Sequence, residues 1–269
     1  MMDLSQLPPG PPESDLPEDV RTPWGWGAVF GFVLVAVMSL FVVTAVAYFA
    51  AVVWFHTRNP VELLVNNAAL LSLRQVVWYL LLMLYLFATI RRRGLPFWRT
   101  IGWRPLAAAR FSGPALYALL ILTGMVLAVA VELAALPFHP KTRLPIEALF
   151  RDRQSLLWLT GMGVLVAPVV EETIFRGYLY PVLARSLGIR GAVVATGLLF
   201  GLLHLAQLWG GWVQVGLIAL VGMILTYARA RSGSVLASYL LHLGYNTFLF
   251  AGFYFSTGGF RHLPPGLVG

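Results

Sequence analysis

Ionisable and amide side chains in three apolar stretches of this sequence have the types and spacing needed to hydrolyse an amide bond. The first stretch carries Glu171 and Glu172, the second His204, and the third His242 with Asn246. A carboxylate can act as a base toward water, and an imidazole can share the proton. An imidazole or amide N–H can stabilise the resulting oxyanion. Together these groups are the parts of a water-activating hydrolase working in a protected cavity.

The two adjacent glutamates cannot have the same role. Neighbouring residues lie about 100° apart around a helix, so Glu171 and Glu172 point in different directions. Arg176 follows Glu172 by four residues, which is the spacing of an intrahelical ion pair. Pro168 lacks a backbone donor and predicts a bend just before the acids. We therefore expect a structural Glu172–Arg176 pair and leave Glu171 for chemistry.

Taken singly, the other polar residues have plainer explanations. His204 can be a hydrogen-bonded packing residue. His242 and Asn246 share one helical face and can bridge neighbouring helices. Glu132, in an apolar run without a motif, is either an interhelical hydrogen-bond partner or part of a substrate cavity.

The composition places all these residues in a membrane. Of 269 residues, 59% are hydrophobic and 11% charged, with a mean hydropathy of +0.78. Soluble proteins carry about 25% charged residues. Lipid accommodates the apolar side chains while helices satisfy their own backbone groups, so we predict an all-α, polytopic transmembrane helical bundle.

The chain contains no cysteine, which excludes disulfides and thiolate metal sites. The net charge of +8 comes from arginines between apolar runs, which indicates juxtamembrane anchoring and no nucleic-acid partner.

Apolar runs long enough to cross a bilayer, about 20 residues each, predict about seven spans, or eight. They cover residues 26–55, 75–90, 114–136, 156–183, 191–208, 213–229 and 234–253. A cytoplasmic N-terminus puts more positive charges on the cytoplasmic side, as the positive-inside rule favours. That side would hold Arg21, Arg91, Arg92, Arg93, Arg99, Arg104, Arg110, Arg176, Arg185, Arg190, Arg229 and Arg231, and the other side Arg58, Arg74, Lys141, Arg143, Arg151, Arg153 and Arg261.

Three spaced motifs carry a family resemblance. They are Glu171-Glu172-xxx-Arg176, Phe200-xxx-His204 and His242-xxx-Asn246, in this order on successive helices that bear polar residues. The pattern resembles the CAAX-protease family, also called CPBP or Abi. The strings APVVEETIFRG and LLFGLLHL extend the likeness, which covers about residues 156–250. The first three predicted spans carry no recognised motif.

The resemblance implies a helical intramembrane endopeptidase in which Glu171 and His204 activate water. His242 and Asn246 would form the oxyanion site. The supporting residues would be Glu172, Arg176 and Phe200. No cofactor is expected. The alternative is a zinc ion held by Glu171, His204 and His242, with water in the fourth position.

The predicted organisation has four parts. A Pro-rich, acidic and disordered tail covers residues 1–24, and N-terminal transmembrane helices cover 25–140. The catalytic core covers 141–253, and a C-terminal tail covers 254–269.

The expected location is the inner (plasma) membrane of a bacterial cell, with a membrane-associated protein or peptide as substrate. Two other functions fit the same residues: an ion- or proton-coupled transporter, and a catalytically silent relative that acts as an immunity or binding protein.

Overall fold

A computed structural model describes residues 16–54, 56–106, 113–138, 144–150 and 152–262. Every regular element in these ranges is helical, so the predicted all-α class is confirmed. The α-helices are α1 (Trp26–Trp54), α2 (Pro60–Asn66), α3 (Ala68–Arg91), α4 (Phe97–Thr100), α5 (Gly113–Ala135), α6 (Arg153–Gly161), α7 (Ala167–Glu172), α8 (Tyr180–Leu203), α9 (Trp212–Ser232) and α10 (Val235–Ser256). Two π-helical segments flank α7: the first π segment (Met162–Val166) and the second π segment (Thr173–Leu179). Short 3₁₀ turns lie at Glu18–Val20 and Pro145–Leu149.

Five helical segments in the described part of the chain are long and apolar enough to cross a membrane, so the protein is an integral membrane protein. They are Trp26–Trp54, Ala68–Arg91, Gly113–Ala135, Arg153–Leu203 and Trp212–Ser232. The second was predicted to begin at residue 75 but begins at Ala68. Its start is set by Asn67, whose side chain accepts a hydrogen bond from Leu70 N at 3.0 Å and so caps the helix.

The 51-residue segment Arg153–Leu203 reverses direction at Gly188. Before the glycine, Arg185 donates to the carbonyls of Thr22 and Trp24 at one end of the bundle. After it, the chain reaches the opposite end, where Ile146 N donates to Gln207 O at 3.1 Å. Gly188 has φ 69° and ψ 168°, a region that essentially only glycine adopts. The two arms overlap the predicted spans 156–183 and 191–208, although α8 ends at Leu203 and not at residue 208. The total of seven crossings stays a prediction.

One end of the bundle is rich in arginine. Most of the residues predicted to be cytoplasmic border the helix ends there, although Arg110 lies outside the described residues. Arg176 was counted among the charges that flank the spans. It is instead fully buried inside the bundle, so that part of the count is corrected. On the other side, Lys141, Arg143 and Arg151 lie outside the described residues. The orientation remains a prediction from the positive-inside rule.

Glycines bring the helices around the site into close contact. A Cβ built on Gly124 of α5 would lie 2.0 Å from Leu241 O of α10, and one on Gly244 would lie 2.0 Å from Ile121 O. Gly197 of α8 and Gly222 of α9 face each other in the same way. Small residues allow such backbone approach in membrane helices. These contacts fix α10 against α5, and α9 against α8.

Residues 16–24, the N-terminal strap, pack against the arginine-rich end. Leu16 and Val20 are buried beside Tyr180 and Ala192 of α8. The Trp24 ring stacks on Tyr178 with 5.1 Å between centroids. The predicted disordered tail is therefore wrong for residues 16–24, because apolar side chains spaced four apart dock on the bundle. Residues 1–15 lie outside the described residues.

A buried ion pair fastens the strap. The guanidinium of Arg229 donates to the Asp19 carboxylate and to Asp19 O, and lies over the Tyr180 ring at 5.6 Å. Arg229 is only 1% exposed, so its charge depends on this partner.

We expect Asp19→Ala to destabilise the protein by about 1–3 kcal/mol, because it leaves the buried Arg229 guanidinium without its carboxylate. Thermal unfolding of detergent-purified protein measures the effect. Glu18→Ala is the matched control, since Glu18 is the exposed neighbour and its loss should leave the melting temperature within a degree or so of wild type. Equal melting temperatures for the two variants would contradict the role of the strap.

Candidate functional site

The two glutamates lie on α7, a helix of six residues between the two π segments. A π turn widens the helix by one residue, and such turns are often found at functional sites. The carboxylates of Glu171 and Glu172 point to different neighbours, as their spacing predicted. Glu172 and Arg176 are fully buried, and Glu171 is 9% exposed.

The predicted ion pair between Glu172 and Arg176 is present. Arg176 Nη1 donates to Glu172 Oε1 at 2.8 Å. Its other nitrogens donate across to α9: Nη2 to Gly222 O at 2.8 Å and Nε to Thr226 Oγ1 at 3.2 Å. The Phe200 ring lies under the guanidinium, 4.5 Å away, a cation–π contact. A charge that would be costly in this environment is thus satisfied on several sides.

The same carboxylate orients His242. Glu172 Oε1 is 2.9 Å from His242 Nδ1. Since a carboxylate paired with arginine can only accept, Nδ1 carries the proton and donates it. This bond turns His242 Nε2 toward the second acid, where it lies 4.0 Å from Glu171 Oε2. That distance is too long for a direct hydrogen bond but suits a bridging water.

Sequence reasoning missed Tyr79, the residue that holds the other oxygen of Glu171. Tyr79 lies on α3, and its Oη donates to Glu171 Oε1 at 3.3 Å. It is buried. The available signal was weak: a glutamine and a tyrosine four residues apart share one face of an otherwise apolar helix.

His204 caps the C-terminus of α8. Its Nδ1 is 2.8 Å from Phe200 O, and because a carbonyl only accepts, Nδ1 must be the donor. In the neutral ring Nε2 is then an acceptor. The Phe200 ring lies 4.8 Å from the His204 ring and 5.7 Å from the His242 ring, so it lies against both imidazoles.

Asn246 replaces a backbone hydrogen bond that is missing from the helix just before Glu171 and Glu172. Ala167 N donates to Met162 O, and Pro168 has no N–H to offer. Neither residue therefore serves Gly163 O, and Asn246 Nδ2 donates to that carbonyl at 2.6 Å. Pro168 directly follows this π turn, and the bend predicted there stays a prediction. A carboxamide has two N–H groups, so this bond uses one of them.

The predicted residues therefore lie close together, but not all of them are in direct contact. Glu171, Glu172, Arg176 and His242 form one contact network. His204 is linked to that network by the ring of Phe200, and Asn246 lies one turn after His242. The roles assigned to them from the sequence stay predictions. Glu132 is exposed on α5, and the two roles considered for it from the sequence stay predictions.

A three-ligand metal site is not assembled. Within the described ranges, no three His, Asp or Glu side chains come together in an arrangement that could hold a metal ion. Glu171, His204 and His242, the alternative zinc ligands, do not fit a zinc ion in this structure.

Comparison with known proteins agrees with the motifs. Residues 153–248, which contain all three motifs, match the family described as type II CAAX prenyl endopeptidase Rce1-like. We refer to residues 153–248 as the Rce1-like segment. The resemblance seen in the sequence is thereby confirmed. The chain is also similar to the uncharacterized protein YyaK of Bacillus subtilis, with 28% identity over 247 residues that cover 83% of this chain and 76% of YyaK. No solved structure matches the chain.

The contact between Asn246 and Gly163 generates a stability prediction. Asn246→Leu should destabilise the protein by about 1–3 kcal/mol, because the partly buried Gly163 carbonyl loses its side-chain donor. Pro168→Ala returns a backbone N–H to the chain, so Asn246→Leu should cost less in that background. Thermal unfolding of the two single variants and the double variant measures this coupling. Strictly additive losses would contradict our account of the π turn.

Proposed function

We propose that this protein is an intramembrane endopeptidase that hydrolyses a peptide bond of a membrane-embedded or lipidated protein or peptide. The observation that carries the proposal is the 4.0 Å gap between Glu171 Oε2 and His242 Nε2 inside a largely buried polar network. Water held in this gap contacts a carboxylate that can accept its proton. The Rce1-like segment supports the same reaction class, since it contains both residues.

Glu171 is the base in the proposed reaction. A water between it and His242 attacks the scissile carbonyl carbon, and the Glu171 carboxylate takes one water proton. The carbonyl becomes a tetrahedral oxyanion. Its collapse breaks the C–N bond, and the proton on Glu171 passes to the leaving amine. Products are a carboxylic acid and an amine, and the carboxylate is restored. His204 shares the water through the lone pair at Nε2, which its bond to Phe200 O leaves available.

His242 stabilises the oxyanion in this proposal. In the protonated form, its Nδ1 donates to Glu172 while Nε2 donates toward the oxyanion. Two carboxylates, Arg176 and an imidazolium then sum to zero charge, which suits a site of low polarity. Asn246 contributes its second N–H. Glu172 and Arg176 orient the imidazole and do not touch the substrate.

The description of the matched family, type II CAAX prenyl endopeptidase, supports a prenylated peptide as the substrate. A farnesylated peptide that ends in a CAAX sequence is therefore the first probe, offered to the purified protein in liposomes. We place the protein in a bacterial plasma membrane, where comparative proteomics of a deletion strain would reveal a membrane protein that keeps its C-terminal segment. No cleavage of the peptide, and no such retained segment, would contradict the proposal.

Glu171→Gln should lower cleavage by at least about 100-fold, because an amide cannot take the water proton. Folded yield and melting temperature should stay close to wild type, since glutamine keeps the shape and an acceptor for Tyr79. Arg176→Met should behave differently and lower the folded yield, because it leaves Glu172 as an unpaired buried charge. If Glu171→Gln keeps full activity while Glu172→Gln loses it, the two glutamates have the reverse roles.

Metal dependence is a separate test. We expect purified protein to hold far less than one zinc per chain, and a strong chelator to leave cleavage of the farnesylated peptide largely unchanged. Elemental analysis and the cleavage assay measure the two quantities on one sample. Stoichiometric zinc, with activity lost to the chelator and restored by zinc, would show that the carboxylate mechanism is wrong.

A further inference from the structure

Helix α3 lies outside the Rce1-like segment, yet one of its side chains reaches the proposed base. We propose that Tyr79 is a positioning residue. Its hydroxyl donates to Oε1 of the Glu171 carboxylate and so keeps Oε2 facing His242. The inference rests on the proposed function and extends it to a helix in which the sequence shows no motif.

The contact divides the two oxygens of Glu171 between two neighbours. Tyr79 Oη donates to Oε1 at 3.3 Å, while Oε2 is 4.0 Å from His242 Nε2. A glutamate side chain has three rotatable bonds, so without a fixed oxygen the carboxylate can turn away from the water position. Misplacing a catalytic group by about 1 Å can cost on the order of 100-fold in rate. A donor on the non-reacting oxygen limits this rotation and leaves the reacting oxygen open.

The Tyr79 ring is itself held in place by its surroundings. Trp78, the residue before Tyr79, donates from Nε1 to Ala36 O of α1 at 3.0 Å. The rings of Trp78 and Tyr79 stack with 5.8 Å between centroids. The tyrosine is therefore fixed by its own helix and by α1 before it meets Glu171.

This arrangement gives the N-terminal helices a part in the reaction. Helices α1 and α3 pack together and contact the Rce1-like segment at two places. These are helix α6 and a buried cluster that includes Tyr178 and Val182. A shift of α3 relative to α7 would move the Tyr79 hydroxyl and release the carboxylate. The geometry of the base thus depends on helices outside the segment that carries the motifs.

The test is Tyr79→Phe, which removes one hydroxyl and keeps the ring. We expect kcat for the farnesylated peptide to fall about 10-fold with KM within about twofold, because the substitution acts on the base and not on substrate binding. Tyr178→Phe is the matched control. Tyr178 is also buried, but its hydroxyl has no hydrogen-bond partner among the described residues, so kcat should be unchanged. Wild-type kcat in Tyr79→Phe, in a protein that Glu171→Gln inactivates, would overturn the inference and leave the proposed function standing.

A stability cycle tests the contact even if the peptide is not cleaved. Tyr79→Phe should lower the melting temperature in the wild-type background, because it removes a hydrogen bond to a carboxylate. In a Glu171→Leu background the hydroxyl has lost this acceptor, so Tyr79→Phe should lower the melting temperature less or raise it. Equal decreases in both backgrounds would show that Tyr79 does not act through Glu171. Failure of the proposed function would instead appear as wild-type protein that leaves the peptide intact.

Discussion

The site depends on the neutralisation of one fully buried guanidinium. Arg176 loses its hydration inside the bundle, and an unpaired charge there would cost several kcal/mol. Its partners come from different elements, so satisfying the charge also fixes where those elements lie. They are Glu172 of α7, Phe200 of α8, and Gly222 and Thr226 of α9. The bond from Nη2 to Gly222 O is possible where α8 and α9 approach closely at Gly197 and Gly222. Tight glycine packing and charge satisfaction thus support each other.

This ion pair also sets the direction of the chemistry. Because Arg176 keeps Glu172 as an acceptor, the His242 ring must present its Nδ1 proton to it, and Nε2 faces the other way. Glu171, one residue earlier, lies about 100° around the helix and meets that nitrogen from the opposite side. Two adjacent acids therefore divide into one that orients an imidazole and one that can receive a proton. The same division in a soluble active site would be less strict, since water could satisfy either carboxylate.

The π turn just before α7, the helix that carries Glu171 and Glu172, provides a link to α10. Pro168 removes a donor, the π turn shifts the bond of Ala167 to Met162 O, and Asn246 satisfies the remaining Gly163 carbonyl. Asn246 thereby ties α10 to the helix that carries the glutamates. The N-terminal strap acts at the other end, where Asp19 neutralises Arg229. Each of these side chains provides a partner for a polar group that would otherwise have none inside the protein.

The sequence by itself determined the helical class, the membrane setting, the Glu172–Arg176 pair and the residues of the motifs. These follow from composition, hydropathy and spacing along one helix, which are local properties. Only the tertiary structure decided that Arg176 is internal, that residues 16–24 pack on the bundle, and that His242 is bonded to Glu172. It also brought Tyr79 to Glu171 across 92 positions of sequence. A lone tyrosine or aspartate has no periodicity that reveals its partner, because such contacts depend on how helices pack and which buried charges must be neutralised.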